Sequence, residues 1–184
     1  ILAGDALLTR AFNILASDST HSNPAVRCEL VLELSLAAGA HGMVGGQMID
    51  LKAESADLDI GAITRLQRLK TGRLIDFGCQ AGAILGRAPT SAREALRGYT
   101  HDMGLAFQIA DDLLDITGDA ATVGKAVGKD ATKGKATFVS VLGVERARDQ
   151  ANHLADQAIN HLKLFDSKAD HLRALARFVV ERKH

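Results

Sequence analysis

Between Gly104 and Asp115 the sequence places Gln108, Asp111, Asp112 and Asp115 among Leu105, Ala106, Phe107, Ile109, Ala110, Leu113 and Leu114. At about 100° per residue on a helix, the four polar residues fall within an arc of roughly 100°. His101 and Gly104 extend the same face towards the N-terminus. A surface helix is polar over more than half of its girth, whereas this one is apolar nearly everywhere else. The pattern predicts a central helix whose acidic strip faces an interior cavity. Three carboxylates there repel one another and are costly to bury unpaired. The site therefore needs positive charge, either Lys and Arg from other segments or a divalent metal. Oxygen donors without a matching His or Cys set suit Mg²⁺, which takes one or two carboxylates, keeps several waters and leaves room for substrate phosphates. The candidate metal ligands are Asp111, Asp112 and Asp115. A solvated acidic face beside a helix end is the competing reading, and the apolar surround weighs against it.

The next segment, 118–137, interleaves four lysines with glycines: Gly124-Lys125, Gly128-Lys129, and Lys133-Gly134-Lys135. Lysine binds phosphate as a point charge, and glycine lets backbone N–H groups approach an anion. The spacing does not fit a P-loop, and the residues from Asp115 onward do not fit an EF-hand. Beside an acidic strip the segment reads as the cationic half of a diphosphate site on a mobile flap. Further polar residues inside apolar stretches are Gln47 and Asp50, and Lys70-Thr71 within the basic run Arg65, Arg68, Lys70 and Arg73. The pair His101-Asp102 is a weaker sign of a metal-dependent phosphohydrolase, since the further His-rich segments such a site needs are not evident.

Positioning these residues falls to helices. Apolar residues recur at three- and four-residue spacing, predicting six helices at about 3–17, 24–52, 59–86, 91–117, 138–164 and 167–182, with no alternating strand pattern. The class is all-α, a bundle of long helices around a central cavity. Pro24 suits the first turn of its helix. Asp57 or Asp59 can cap the third, and Ser91 with Glu94 makes a capping box for the fourth. Gly78, Gly82 and Gly86 share a face, which predicts close approach of a neighbouring helix. Gly39, Gly42, Gly45 and Gly46 predict a bend or a backbone facing a ligand.

Composition narrows the class further. The 184 residues carry 22 Lys and Arg against 22 Asp and Glu, which excludes a nucleic-acid binder held by bulk phosphate attraction. No run approaches the ~20 apolar residues of a membrane span, and the start is no signal peptide. Cys28 and Cys79 stand alone at apolar positions and are expected to be buried thiols in a reducing, cytoplasmic compartment. The chain begins with Ile1 rather than Met and is expected to be part of a longer protein.

In order, these segments resemble the trans-isoprenyl diphosphate synthase (polyprenyl synthetase) family along nearly the whole chain. Gly4-Asp5-Ala6-Leu7-Leu8 resembles the entry to a core helix. Gly45-Gly46-Gln47-Met48-Ile49-Asp50-Leu51 resembles the G-G-Q-x-x-D-L segment of short-chain members, and Lys70-Thr71-Gly72 resembles K-T-G. Phe107-Gln108 followed by Asp111-Asp112-Leu113-Leu114-Asp115 resembles the second aspartate-rich motif. Gly124-Lys125, Gly128-Lys129-Asp130 and Gly134-Lys135-Ala136-Thr137 resemble the lysine flap, and Leu175 to Arg182 resembles the last helix.

The resemblance implies head-to-tail condensation of an allylic diphosphate with isopentenyl diphosphate. Mg²⁺ would be held by Asp111 and Asp115, with Asp112 as a direct or outer ligand. Lys70, Lys125 and Lys135 would hold the allylic diphosphate, and Asp130 would orient the flap lysines. Thr71 and Gln108 would line the carbocation site. The implied product is farnesyl or geranylgeranyl diphosphate, with Gln47 pointing away from the long-chain enzymes. The implied assembly is a homodimer. Residues 1–184 would be the C-terminal part of a single synthase domain, roughly three-fifths of a family member, without the N-terminal helices that carry the first aspartate-rich motif and the isopentenyl diphosphate site. Two other readings are a non-catalytic subunit paired with a catalytic partner and the phosphohydrolase built on His101-Asp102. A terpene cyclase fits the lysine flap and Lys70-Thr71-Gly72 less well.

Overall fold

Helix starts are set locally by side chains that satisfy the first free N–H groups. The computed structural model describes residues 1–53, 58–117 and 137–182. Asn23 accepts from Ala25 N at 2.9 Å ahead of Pro24, starting α2 (Pro24–Ala38). Asp59 accepts from Ala62 N at 2.8 Å, starting α4 (Ile60–Gln67). Asp57 lies outside the described residues. The helix predicted from Ser91 begins one residue earlier, as α6 (Thr90–Thr117). Its first bonds run from Ala92 N and Arg93 N to Pro89 O, so the Pro89 carbonyl starts the helix and Ser91 is already inside it.

All described elements are helices or turns, as the apolar periodicity predicts. α1 spans Leu2–Ala16 and packs on α2. The single helix expected over 24–52 is two, α2 and α3 (Met43–Ala53), with a break at Gly39–Gly42. A Cβ at Gly42 would lie 2.0 Å from Ala37 O, so the chain can turn there only without a side chain. The helix expected over 59–86 is continuous but not regular. α4 passes through a π-helical turn at Arg68–Gly72 into α5 (Arg73–Leu85). The helix expected over 138–164 is interrupted at Gly143, whose φ of 80° lies in the left-handed region. It separates α7 (Phe138–Leu142) from α8 (Val144–His161). α9 spans Asp170–Glu181 after two short 3₁₀ turns.

α6 is the central element, packing against α5, α7, α8, α9 and the π turn. Its Tyr99, Met103, Ala106 and Ile109 are buried with Phe138, Leu154, Leu162 and Val179 in the main core. The facing side of α8 is a row of buried alanines, Ala147, Ala151, Ala155 and Ala158. Small side chains bring the two axes close, and this is how the bundle fills its core with few aromatic residues. Tyr99 donates to Leu172 O at 2.8 Å, fastening α6 to the start of α9. The close approach expected along Gly78 and Gly82 is not found, because a Cβ at either would meet nothing within 4 Å. Cys28 is exposed and Cys79 half-buried, so neither is the fully buried thiol expected.

Candidate active site

The π turn presents two adjacent side chains to two different helices. Arg73 N bonds back to Arg68 O, five residues away, so the turn carries one residue more than an α-helix would hold. Two glycines hold this turn in place. A Cβ at Gly46 of α3 would sit 2.3 Å from Lys70 N and 2.6 Å from Lys70 Cα, so α3 lies directly against the turn's backbone. On the other side Gly104 of α6 approaches Gly72, with its Cβ position 3.7 Å from Gly72 Cα.

Held this way, Lys70 Nζ reaches Asp50 Oδ2 on α3 at 2.7 Å, and Asp50 is buried. Thr71 Oγ1 donates to Gln108 Oε1 on α6 at 2.6 Å. Of the predicted trio, the turn brings Thr71 to Gln108, whereas the Lys70 side chain diverges towards α3. Asp50, noted in the sequence as a polar residue among apolar ones and within the G-G-Q-x-x-D-L segment, pairs with the lysine.

The acidic strip lies on α6 as predicted, but its carboxylates have different surroundings. Asp112 is buried, and its Oδ2 accepts from Phe138 N at 2.9 Å. This bond ties α6 to the first turn of α7, where a negative charge is favoured by the helix dipole. Asp111 is part-exposed, and its Oδ1 accepts from Arg182 Nη2 at 3.3 Å. Arg182 also lies over the ring of Phe107, 4.5 Å from its centroid. Asp115 is part-buried, one helical turn beyond Asp111. Lys125, Lys135 and Asp130 lie outside the described residues. Sequence reasoning missed the role of Arg182. The only signal was a basic residue at the end of a strongly amphipathic last helix.

Among the described residues no group of three or more His, Cys, Asp or Glu is placed to hold a metal. The donor chemistry nevertheless fits Mg²⁺. Asp111 and Asp115 offer carboxylate oxygens one turn apart on a partly open face, and this ion needs only one or two protein carboxylates. His101 and Asp102 do not form such a site. The Asp102 carboxylate lies between His101 Nδ1 at 3.0 Å and His161 Nε2 at 3.1 Å, joining α6 to the end of α8.

A cavity of about 580 Å³ runs along α5 and α6, lined in part by Gln67, Gly72, Thr100, His101 and Gly104. His101 and Gly104 line it but Gln108, Asp111, Asp112 and Asp115 do not, so the strip does not face this cavity as expected. Asp76, on its wall, accepts from Thr100 Oγ1 at 2.7 Å. Burial, with Asp76 nearby, pushes the Cys79 thiol up to about 11, and burial, with Cys79 nearby, pushes the Tyr99 hydroxyl up to about 12.

The fold and site define a class: an all-α bundle in which a carboxylate-bearing central helix packs on a π turn that carries a lysine and a threonine. Comparison with known proteins narrows it. Residues 1–176 match the family model described as Polyprenyl synthetase, and the chain belongs to the polyprenyl synthetase family. It is 42% identical over 187 residues to the farnesyl diphosphate synthase of Escherichia coli (strain K12), covering 99% of this chain and 62% of that protein. It is 37% identical over 183 residues to the geranylgeranyl diphosphate synthase of Cyanophora paradoxa, covering 99% and 61%. Among solved structures, an FPP/GFPP synthase from Zymomonas mobilis is 51% identical with a TM-score of 0.86, covering 97% of this chain and 59% of that one. A geranyltransferase from Helicobacter pylori, solved with magnesium and isoprenyl diphosphate, is 30% identical with a TM-score of 0.81, covering 97% and 58%. The chain thus spans about three-fifths of the length of the curated relatives it matches. Among the described residues no helix is long and apolar enough to cross a membrane.

Proposed function

We propose that this chain supplies the second-aspartate half of the active site of a short-chain prenyltransferase. That enzyme would condense an allylic diphosphate with isopentenyl diphosphate to give farnesyl or geranylgeranyl diphosphate. The observation that carries the reading is the π turn, from which Thr71 bonds Gln108, one turn before Asp111 on the same helix, while the adjacent Lys70 pairs with Asp50. Thr71 and Gln108 present neutral dipoles, which stabilise positive charge on a reacting carbon without capturing it. Lys70, steadied by Asp50, donates to the diphosphate as it leaves. Asp111 and Asp115 would hold Mg²⁺, and Asp112, bonded to Phe138 N, holds α7 in place beside them. When bound, Mg²⁺ supplies the concentrated positive charge that stabilises the departing diphosphate. Water must be kept from the allylic cation so that it is met by the isopentenyl double bond.

Relatives named for farnesyl and geranylgeranyl diphosphate synthesis support the substrate class, and the family resemblance supports a homodimer. The test is incorporation of labelled isopentenyl diphosphate into hexane-extractable alcohols after phosphatase treatment, using the full-length protein that carries this chain. Activity is expected only with a divalent cation, and Asp111→Ala is expected to lower kcat by about 10³-fold, on the scale of losing a main electrostatic element of a site. An Asp111→Ala protein that keeps full, metal-independent activity would falsify the reading. Elongation seen only after addition of a second, different subunit would favour a non-catalytic role.

A further inference from the structure

We propose that Arg182 is a positioning residue, a built-in counter-ion that a divalent cation must displace from Asp111. Three observations point to it. The Arg182 side chain is only 18% exposed, and its guanidinium lies against the Phe107 ring, in the turn of α6 that also carries Gln108. Its Nη2 reaches Asp111 Oδ1 at 3.3 Å, a long contact that can be given up. Its Nε is buried with no hydrogen-bond partner, so the group is held by its stacking rather than by a saturated set of bonds. A fully paired arginine would be a structural bolt, whereas this one is seated by an aromatic face and makes a single weak bond to the carboxylate. A guanidinium and a divalent cation repel each other, so both cannot lie close to one Asp111 carboxylate at full strength. Binding of the cation therefore releases the end of α9, and the tail in turn sets how readily the strip accepts metal.

The inference rests on the reading of Asp111 as a metal ligand. It is tested by binding in the full-length protein, with Mn²⁺ followed by electron paramagnetic resonance and Mg²⁺ by titration calorimetry. Arg182→Gln is expected to tighten cation binding by about twofold to fivefold, the upper part of the range of an exposed ion pair converted to affinity. Arg182→Lys, which keeps the charge, is expected to stay within about twofold of the parent on the same scale. In the unaltered protein, saturating Mg²⁺ is expected to speed amide exchange over residues 176–182 and not over α8. Unchanged or weaker binding in Arg182→Gln, or a tail whose exchange ignores Mg²⁺, overturns the competition. If cation binding also survives Asp111→Asn unaltered, the metal reading of the strip falls with it. If Asp111→Asn abolishes binding while Arg182→Gln leaves it unchanged, only the competition is lost.

Discussion

Three bonds at the site join residues that lie far apart in the chain. Gln108 and the aspartates were recognisable as candidates by type and spacing, and Lys70 and Thr71 through the family resemblance. Their partners were not, because Asp50, Phe138 and Arg182 come from segments 20 to 71 residues away from the groups they bond. Thr71 is the clearest case. Replacing it with Val keeps the shape but leaves Gln108 Oε1 without its donor, and burying that oxygen unpaired costs about 1–3 kcal/mol. The expected result is a lower urea midpoint at unchanged slope. Two other side chains predict a pH effect. Cys79 and Tyr99 ionise from ordinary values of 9.0 and 10.0 when unfolded, but only near 11 and 12 in the folded chain. The native state then holds more protons across that interval, so stability is complete below about pH 9 and falls as pH rises through 11 to 12. Urea titrations at pH 8 and 10.5 are expected to show the loss, and Cys79→Ala to reduce it. Over the same range the exposed Cys28 is expected to react with maleimide much faster than Cys79.

Helices were legible as periodicity, and the glycines at 39–46 marked the bend between α2 and α3, but the π turn and the break at Gly143 carried no such mark. A three-to-four repeat reads straight through Gly143, because a break needs only one or two residues without Cβ and leaves the apolar pattern on either side intact. The same blindness affects glycines within helices, whose meaning depends on neighbours that a single strand of sequence does not show. Gly46 and Gly82 make opposite predictions. A methyl group at Gly46 would strike the backbone of Lys70 at 2.3 Å. Gly46→Ala should therefore separate α3 from the π turn and cost about 2–4 kcal/mol, the range of a severe core overpacking. At Gly82 the same methyl meets nothing within 4 Å. Gly82→Ala should raise stability by about 0.5–1 kcal/mol through helix propensity. Thermal unfolding of the two variants side by side checks both signs.

For the molecule as a whole, the fold class followed from the sequence because helices stacked about one apolar centre need little more than period and length. The distribution of burial did not follow. α6 and α8 carry the main core, whereas α1 has no buried residue, and its Leu2, Leu7 and Ile14 are exposed at 83%, 70% and 50%. Few buried contacts mean low local opening energy. Amide exchange of this chain is therefore expected to be slowest over Tyr99–Ile109 and Ala147–Ala158 and fastest across α1. Slow exchange in α1 would show that burial does not rank the opening of these helices.

The extra residue in the Arg68–Gly72 turn also bears on how this chain can change by insertion and deletion. Removing any one residue there would return the segment to an ordinary helix of 3.6 residues per turn. Because the π turn absorbs its extra residue locally, α4 and α5 would keep their mutual orientation and Ile63 and Leu66 would stay in the core, so the change would fall on the turn itself. Lys70 and Thr71 would no longer diverge towards α3 and α6. The length of that short stretch, quite apart from the identity of its residues, is thus a reading frame for the site, and tolerated indels should cluster in connections elsewhere in the chain.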